Sequence, residues 1–113
     1  MRAYELMVIF DGDLDETDAR AKDKEVAGWV AARGGQIVGK VDWWGKRRFA
    51  YEIKHKTEGF YSVYPLIDAD GGALDEVERA LRLADEVVRH KLIRLPDAEA
   101  GRRRADAGAP AAG

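Results

Sequence analysis

The chain has 113 residues, 46% of them hydrophobic and 35% charged, with a formal net charge of −2, which are the proportions of one globular domain with a core of its own. It contains no cysteine, and this excludes disulfides, thiolate metal sites and cysteine nucleophiles. The longest unbroken apolar run, Leu6 to Phe10, is five residues, against the ~20 a spanning helix needs; Glu5, Asp11, Asp13, Asp15 and Glu16 stand where a signal peptide would be apolar, so a cytoplasmic protein is expected.

Arg2 to Phe10 alternates with period two, Tyr4, Leu6, Val8 and Phe10 on one side and Glu5, Met7 and Ile9 on the other. Apolar residues on both sides predict a central strand, and Asp11-Gly12-Asp13 ends it in turn residues. A helix follows. Asp13 or Asp15 is placed to cap it, Asp15, Glu16 and Asp18 suit the positive end of its dipole, and Gly34-Gly35 stops it. Ala19, Val26, Trp29 and Val30 give it a narrow apolar stripe around a polar middle, Arg20 to Glu25.

Gln36 to Ile53 reads as one long strand with a bulge or kink at Gly45; a hairpin at Gly45-Lys46 is the alternative. Lys54 to Glu58 reads as a charged loop and Gly59 to Ile67 as the next strand, with Phe60, Ser62 and Tyr64 opposite Tyr61, Val63 and Pro65. Asp70-Gly71-Gly72 turns the chain into a second helix with a stripe of Leu74, Val77, Leu81 and Ala84. Asp85-Glu86 breaks that helix, and Val87 to Leu95 is the last strand. From Pro96 onward Ala, Gly, Pro, Asp and Arg offer nothing to bury, so residues 96–113 are expected to be a disordered tail after a domain of residues 1–95.

The order strand, helix, strand, strand, helix, strand predicts an α+β ferredoxin-like sandwich (βαββαβ), a four-stranded antiparallel sheet with two helices on one face. The other face is left open.

Charge is segregated along this framework. Residues 1–25 carry four cations against eight acids, a balance of −4; residues 40–56 carry six against two, +4; residues 57–80 carry one against six, −5. The basic stretch contains Trp43-Trp44-Gly45-Lys46-Arg47-Arg48-Phe49-Ala50-Tyr51, so cations and flat rings meet in one place. Such rings stack on bases or pack on a partner, and a local basic patch within acidic flanks favours a defined docking site over general coating of nucleic acid. Arg2 and Tyr4 on the first strand and Arg89, Lys91 and Arg94 on the last are expected to extend the patch on one face or edge near the N-terminus. Arg102 to Arg104 could add a loose phosphate contact.

Catalysis finds little support. His55 and His90 have no second ligand at a metal-site spacing, Ser62 is the only serine and lacks a glycine elbow, and no phosphate loop is present. No metal, cofactor, small-molecule substrate or membrane is expected.

With these motifs in view the chain resembles the bacterial small-subunit ribosomal protein S6 family. The resemblance rests on Met1-Arg2-Ala3-Tyr4-Glu5-Leu6-Met7-Val8-Ile9, on Asp13-Leu14-Asp15, on Trp44-Gly45-Lys46-Arg47-Arg48-Phe49-Ala50-Tyr51-Glu52-Ile53, on Glu58-Gly59-Phe60-Tyr61 and on Val88-Arg89-His90-Lys91, in order across residues 1–95. It implies a non-enzymatic constituent of the small ribosomal subunit that binds the central domain of 16S ribosomal RNA as a heterodimer with ribosomal protein S18, among other small-subunit proteins. Carried over to this chain, it points to Arg2, Tyr4, Lys46, Arg47, Arg48 and Arg89 as RNA or partner contacts; Trp44 and Tyr51 join them from the patch itself. The chain departs from the family in its polar first helix, Asp18 to Lys24, and in an Arg- and Ala-rich tail in place of an acidic one. A stand-alone single-stranded RNA binder of the RRM type shares the topology, but Trp44-Gly45-Lys46-Arg47 lacks that class's Gly-aromatic-Gly-aromatic pattern. A small-molecule domain would need a polar pocket that the sequence does not advertise.

Overall fold

A computed structural model describes residues 2–33, 35–68, 72–96, 98–99 and 102. In chain order these form β1 (Arg2–Asp11), α1 (Glu16–Ala32), β2 (Gln36–Ile37), β3 (Asp42–Ile53), β4 (Lys56–Asp68), α2 (Gly72–Leu83) and β5 (Val87–Arg94). All strand pairs are antiparallel: β1 lies between β4 and β5, while β2 and β3 both lie along the other side of β4. β2 and β3 are thus two lengths of a single edge strand, bent between Val38 and Val41, and the sheet is the expected ferredoxin-like one with β1 at its centre.

The bend has a use. Pro65 of β4 accepts a hydrogen bond from the Val38 N–H at 2.8 Å. Its nitrogen, which has no hydrogen to give, faces that same side, where the ladder between β2 and β3 is interrupted. A proline inside a paired strand is tolerated at such a gap.

One face of the sheet carries the core. Tyr4, Leu6, Val8 and Phe10 of β1 and Phe60, Tyr64 and Leu66 of β4 pack against Ala19, Val26 and Val30 of α1 and Leu74, Val77 and Leu81 of α2. Full burial of a side chain such as Phe10 stabilises the fold by about 2–3 kcal/mol. α1 has too few apolar residues to dock by that stripe alone, and its polar middle supplies the rest. Asp23 faces the sheet, and its carboxylate accepts hydrogen bonds from the Ser62 and Tyr64 hydroxyls, each at 2.5 Å. Lys22 bonds Glu25 and Glu86 at 3.2 and 3.3 Å and covers the Trp29 ring at 5.2 Å, and Arg20 covers the Trp43 ring at 5.0 Å. Asp15 takes the N-cap position, with no side-chain cap hydrogen bond.

One local expectation is met at Gly45 and another changes beyond it. The edge strand is bulged at Gly45 and has no hairpin there: Trp43 pairs Ser62 and Gly45 pairs Tyr61, so Trp44 is the extra residue, and Gly45 takes φ +80. The hairpin lies further on, because Ile53 pairs Lys56 across a two-residue turn, Lys54-His55. Lys56 to Glu58 therefore belong to β4 and not to a charged loop. Gly34 of the expected helix stop, Asp70 and Gly71 of the expected turn, and residues 97, 100–101 and 103–113 of the expected tail lie outside the described residues.

Candidate nucleic-acid interface

The helices cover one face of the sheet, and strand alternation decides what the other face presents. In the β1–β4 register Met7 opposes Val63 and Ile9 opposes Tyr61; in the β1–β5 register Met7 opposes Lys91, Ile9 opposes Arg89 and Glu5 opposes Ile93. The open face thus has a floor that is apolar except for Glu5, with cations along its β5 margin. β3 adds rings from the opposite margin. Trp44 stacks on Tyr61 at 5.7 Å and 7° and is fixed by its indole N–H donating to the Asp42 carboxylate at 2.8 Å, while Phe49 meets Tyr61 edge-on at 6.1 Å. Between Arg48 and Ile53 the β3 ladder shifts register a second time, and Phe49, Tyr51 and Ile53 line a groove with Met7, Ile9 and Arg89.

The bulge separates the two neighbouring tryptophans. Trp43 turns to the helix side, stacked between Phe10 at 6.3 Å and Phe60 at 5.7 Å, and belongs to the core. Trp44 is 42% exposed and Tyr51 69% exposed. Of the four aromatics beside the basic run, Trp43 alone packs against the helix-side core.

The three consecutive cations alternate as strand residues must. Arg47 pairs Gly59 and falls on the open side; Lys46 and Arg48 pair Phe60 and Glu58 and fall on the helix side. Lys46 is engaged there, with its ammonium 5.3 Å from the Phe60 ring centroid and 3.6 Å from the Glu58 carboxylate. Lys56, another cation of the basic stretch, is neutralised by Asp13 at 2.8 Å and Asp11 at 3.3 Å. The hydrogen bond from Lys56 holds the Asp13 carboxyl below its ordinary value, and the same contact raises Lys56. Arg47, Arg48 and Lys54 make no ion pair among the described residues and are exposed.

The expectation that Arg2, Tyr4, Arg89, Lys91 and Arg94 share a face near the N-terminus is not met. Arg94 opposes Tyr4, and both take the helix-side alternation with Arg2, whereas Arg89 and Lys91 project from the open face. Arg89 sits opposite Ile9, at the other end of β1 from Arg2. Tyr4 is 8% exposed and packs in the core. Of the sequence-derived set, Trp44, Arg47, Tyr51 and Arg89 are brought to the open side; Lys46, Arg48 and Arg2 lie behind or beside it. Tyr61 was missed as a member of the face. Its signal was available in the alternation of β4, which sets it opposite the Phe60 side.

Comparison with known proteins gives a consistent answer. The family described as ribosomal protein S6 matches residues 3–94. The small ribosomal subunit protein bS6 of Symbiobacterium thermophilum is 44% identical over 94 residues, covering 83% of this chain and 97% of that protein. Its counterpart in Acidothermus cellulolyticus is 45% identical over 98 residues, covering 87% and 99%. Among solved structures, the 30S ribosomal protein S6 of Thermotoga maritima superposes with a TM-score of 0.81 at 35% identity, over 92% of this chain and 96% of that one.

Proposed function

The chain belongs to the ribosomal protein S6 family, and from that premise we propose that it binds the central domain of 16S ribosomal RNA as a heterodimer with ribosomal protein S18. It is a structural protein of the small ribosomal subunit, at work in translation in the cytoplasmic ribosome, and its family is not one of enzymes. Residues 1–95 are taken as the folded unit that does this.

The observation that carries the reading is the uncovered sheet face. Trp44, Tyr61, Phe49, Met7 and Ile93 form an apolar and aromatic surface that the helices leave bare, with Ile9 buried beneath it. Exposed apolar surface of this kind marks an interaction site. In this reading S18 covers the floor, while Arg47 and Arg48 at the β3 edge and Arg89 at the β5 margin reach phosphates. A partner is needed because the free cations are few and the flanking segments carry −4 and −5.

The test is binding of a transcribed central-domain fragment by the chain alone, by S18 alone and by the pair. Tight binding by the pair, with the chain alone far weaker, is expected. Equally tight binding by the chain alone would contradict the partner reading and favour an RRM-like binder.

A further inference from the structure

The hairpin between β3 and β4 turns through two residues that are poorly suited to it. Lys54 and His55 take φ +50 and +64, the left-handed conformation in which a two-residue hairpin turn favours Asn-Gly or Asp-Gly. A lysine and a histidine at those positions hold the backbone in a region that neither side chain prefers. Residues kept in such a conformation cluster at sites that use them.

The turn does not stand alone. Lys54 lines a groove together with Arg82 from the last turn of α2 and Arg89 from β5, over an apolar floor that includes Ile53, Leu81 and Val88. Among the described residues no carboxylate lines this groove, and Lys54, Arg82 and Arg89 are exposed and make no ion pair there. The acids at this end make no ion pair with these three cations: Asp85 and Asp11 line an adjoining groove that Lys54 and Arg82 share, Asp11 is bonded to Lys56 at 3.3 Å, Glu78 lies 3.4 Å from His90, and Glu52 lies 3.7 Å from His55. In a chain of net charge −2, the β3–β4 hairpin and the α2–β5 corner, distant from each other in sequence, deliver cations without ion-pair partners among the described residues to one groove.

The geometry points to a second phosphate-contact pole, in which Lys54, Arg82 and Arg89 grip the backbone of ribosomal RNA at the hairpin end, separately from Lys46-Arg47-Arg48. It rests on the proposed RNA-binding function and adds to it a place and a ligand group. Arg82 and Arg89 present planar donors that suit phosphate oxygens, and Lys54 adds a point charge. The contact is to backbone, so it positions the protein without reading sequence.

The test uses the full chain with S18 and a transcribed central-domain fragment, with dissociation constants measured across a potassium chloride series. The first variant is Lys54→Asn with His55→Gly, which removes the cation while giving the turn its preferred residues; the second adds Arg82→Gln. The turn variant is expected to melt at or above the wild-type temperature and yet bind RNA several-fold more weakly. The combined variant is expected to bind roughly tenfold more weakly, with a salt slope lower by about 2. Wild-type affinity and slope in the combined variant would overturn the pole and leave the general reading intact. Loss of S18 binding measured without RNA would overturn it too, by making the surface a protein interface. Failure of the wild-type pair to bind the fragment would overturn both readings together.

Discussion

Trp43 and Trp44 are adjacent in sequence and serve opposite sides of the sheet. The bulge inserts Trp44 as an unpaired residue, and side-chain direction in a strand is set by pairing phase. Trp43 fills the core between Phe10 and Phe60, while Trp44 lies over Tyr61 in the open. Trp43→Ala is expected to cost about 3 kcal/mol in urea unfolding, the low end of the scale for emptying an aromatic site, because Trp43 is partly buried. Trp44→Ala should stay within about 1 kcal/mol of wild type, the worth of a ring pair, and should weaken assembly. The Trp43 indole N–H meets no protein acceptor among the described residues, so Trp43→Phe should recover much of what alanine loses. Asp23 is the other decisive residue. Asp23→Ala takes the carboxylate from the Ser62 and Tyr64 hydroxyls, leaving Tyr64 only the longer bond to the residue 23 backbone carbonyl, 3.3 Å here, and is expected to cost about 2 kcal/mol. Burial, then the hydrogen bond to Asp23, raises the Tyr64 phenol well above its ordinary value. The folded chain therefore holds a proton that the unfolded chain releases above about pH 10, and stability should fall as pH climbs past that point.

At the scale of elements, the sheet depends on two glycines for different reasons, Gly45 in the edge strand and Gly59 in β4. Gly45 sits at φ +80 with open space around it, since a Cβ added there would meet nothing nearer than Trp43 Nε1, at 3.8 Å; Gly45→Ala should cost about 1–2 kcal/mol through backbone conformation. At Gly59 a Cβ would come within 2.7 Å of the Phe10 carbonyl oxygen and of an Ile9 methyl. Gly59→Ala should therefore push β4 from β1 and cost more than Gly45→Ala, which chemical denaturation of the two variants will rank. Two clasps tie elements together by charge: Lys56 to Asp13 and Asp11, and Lys22 to Glu25 and Glu86. The Asp13 carboxyl lies below 3.8, chiefly through the hydrogen bond from Lys56; that of Glu86 lies below 4.5, first through its own backbone N–H and then through Lys22. Both are lowered in the folded chain, so their stabilisation is complete above about pH 4.5 and is lost as pH falls through the folded values. The acid limb of a melting-temperature profile should flatten in Lys22→Met. Strand alternation in β1 and β4, the α2 stripe and the element order were legible in the sequence because each follows one period. The α1 dock was not, since it depends on Asp23 meeting two hydroxyls from a strand some forty residues away. The Lys54-His55 turn was hidden for a related reason: its residues are not those a two-residue turn prefers.

For the whole molecule, the sequence located the basic and aromatic stretch but could not divide it. Alternation and the bulge send Arg47 and Trp44 to the open face, Lys46 and Arg48 behind it, and Trp43 into the core. Arg2 and Arg89 likewise part company across the sheet, because their strands meet in a register no local pattern displays. The result is a sheet with helices on one face, a largely apolar open face on the other and separate cationic edges, which suits a protein held between an RNA and a second protein. The most direct measurement of that account is assembly of Lys46→Ala/Arg47→Ala/Arg48→Ala with S18 on the central-domain fragment, read as affinity against salt beside a melting curve. The account predicts an unchanged fold, weaker assembly and a shallower salt dependence, by about 0.7–0.9 in slope for each phosphate contact removed. Assembly equal to wild type at every salt concentration, or a variant that no longer folds, would contradict it.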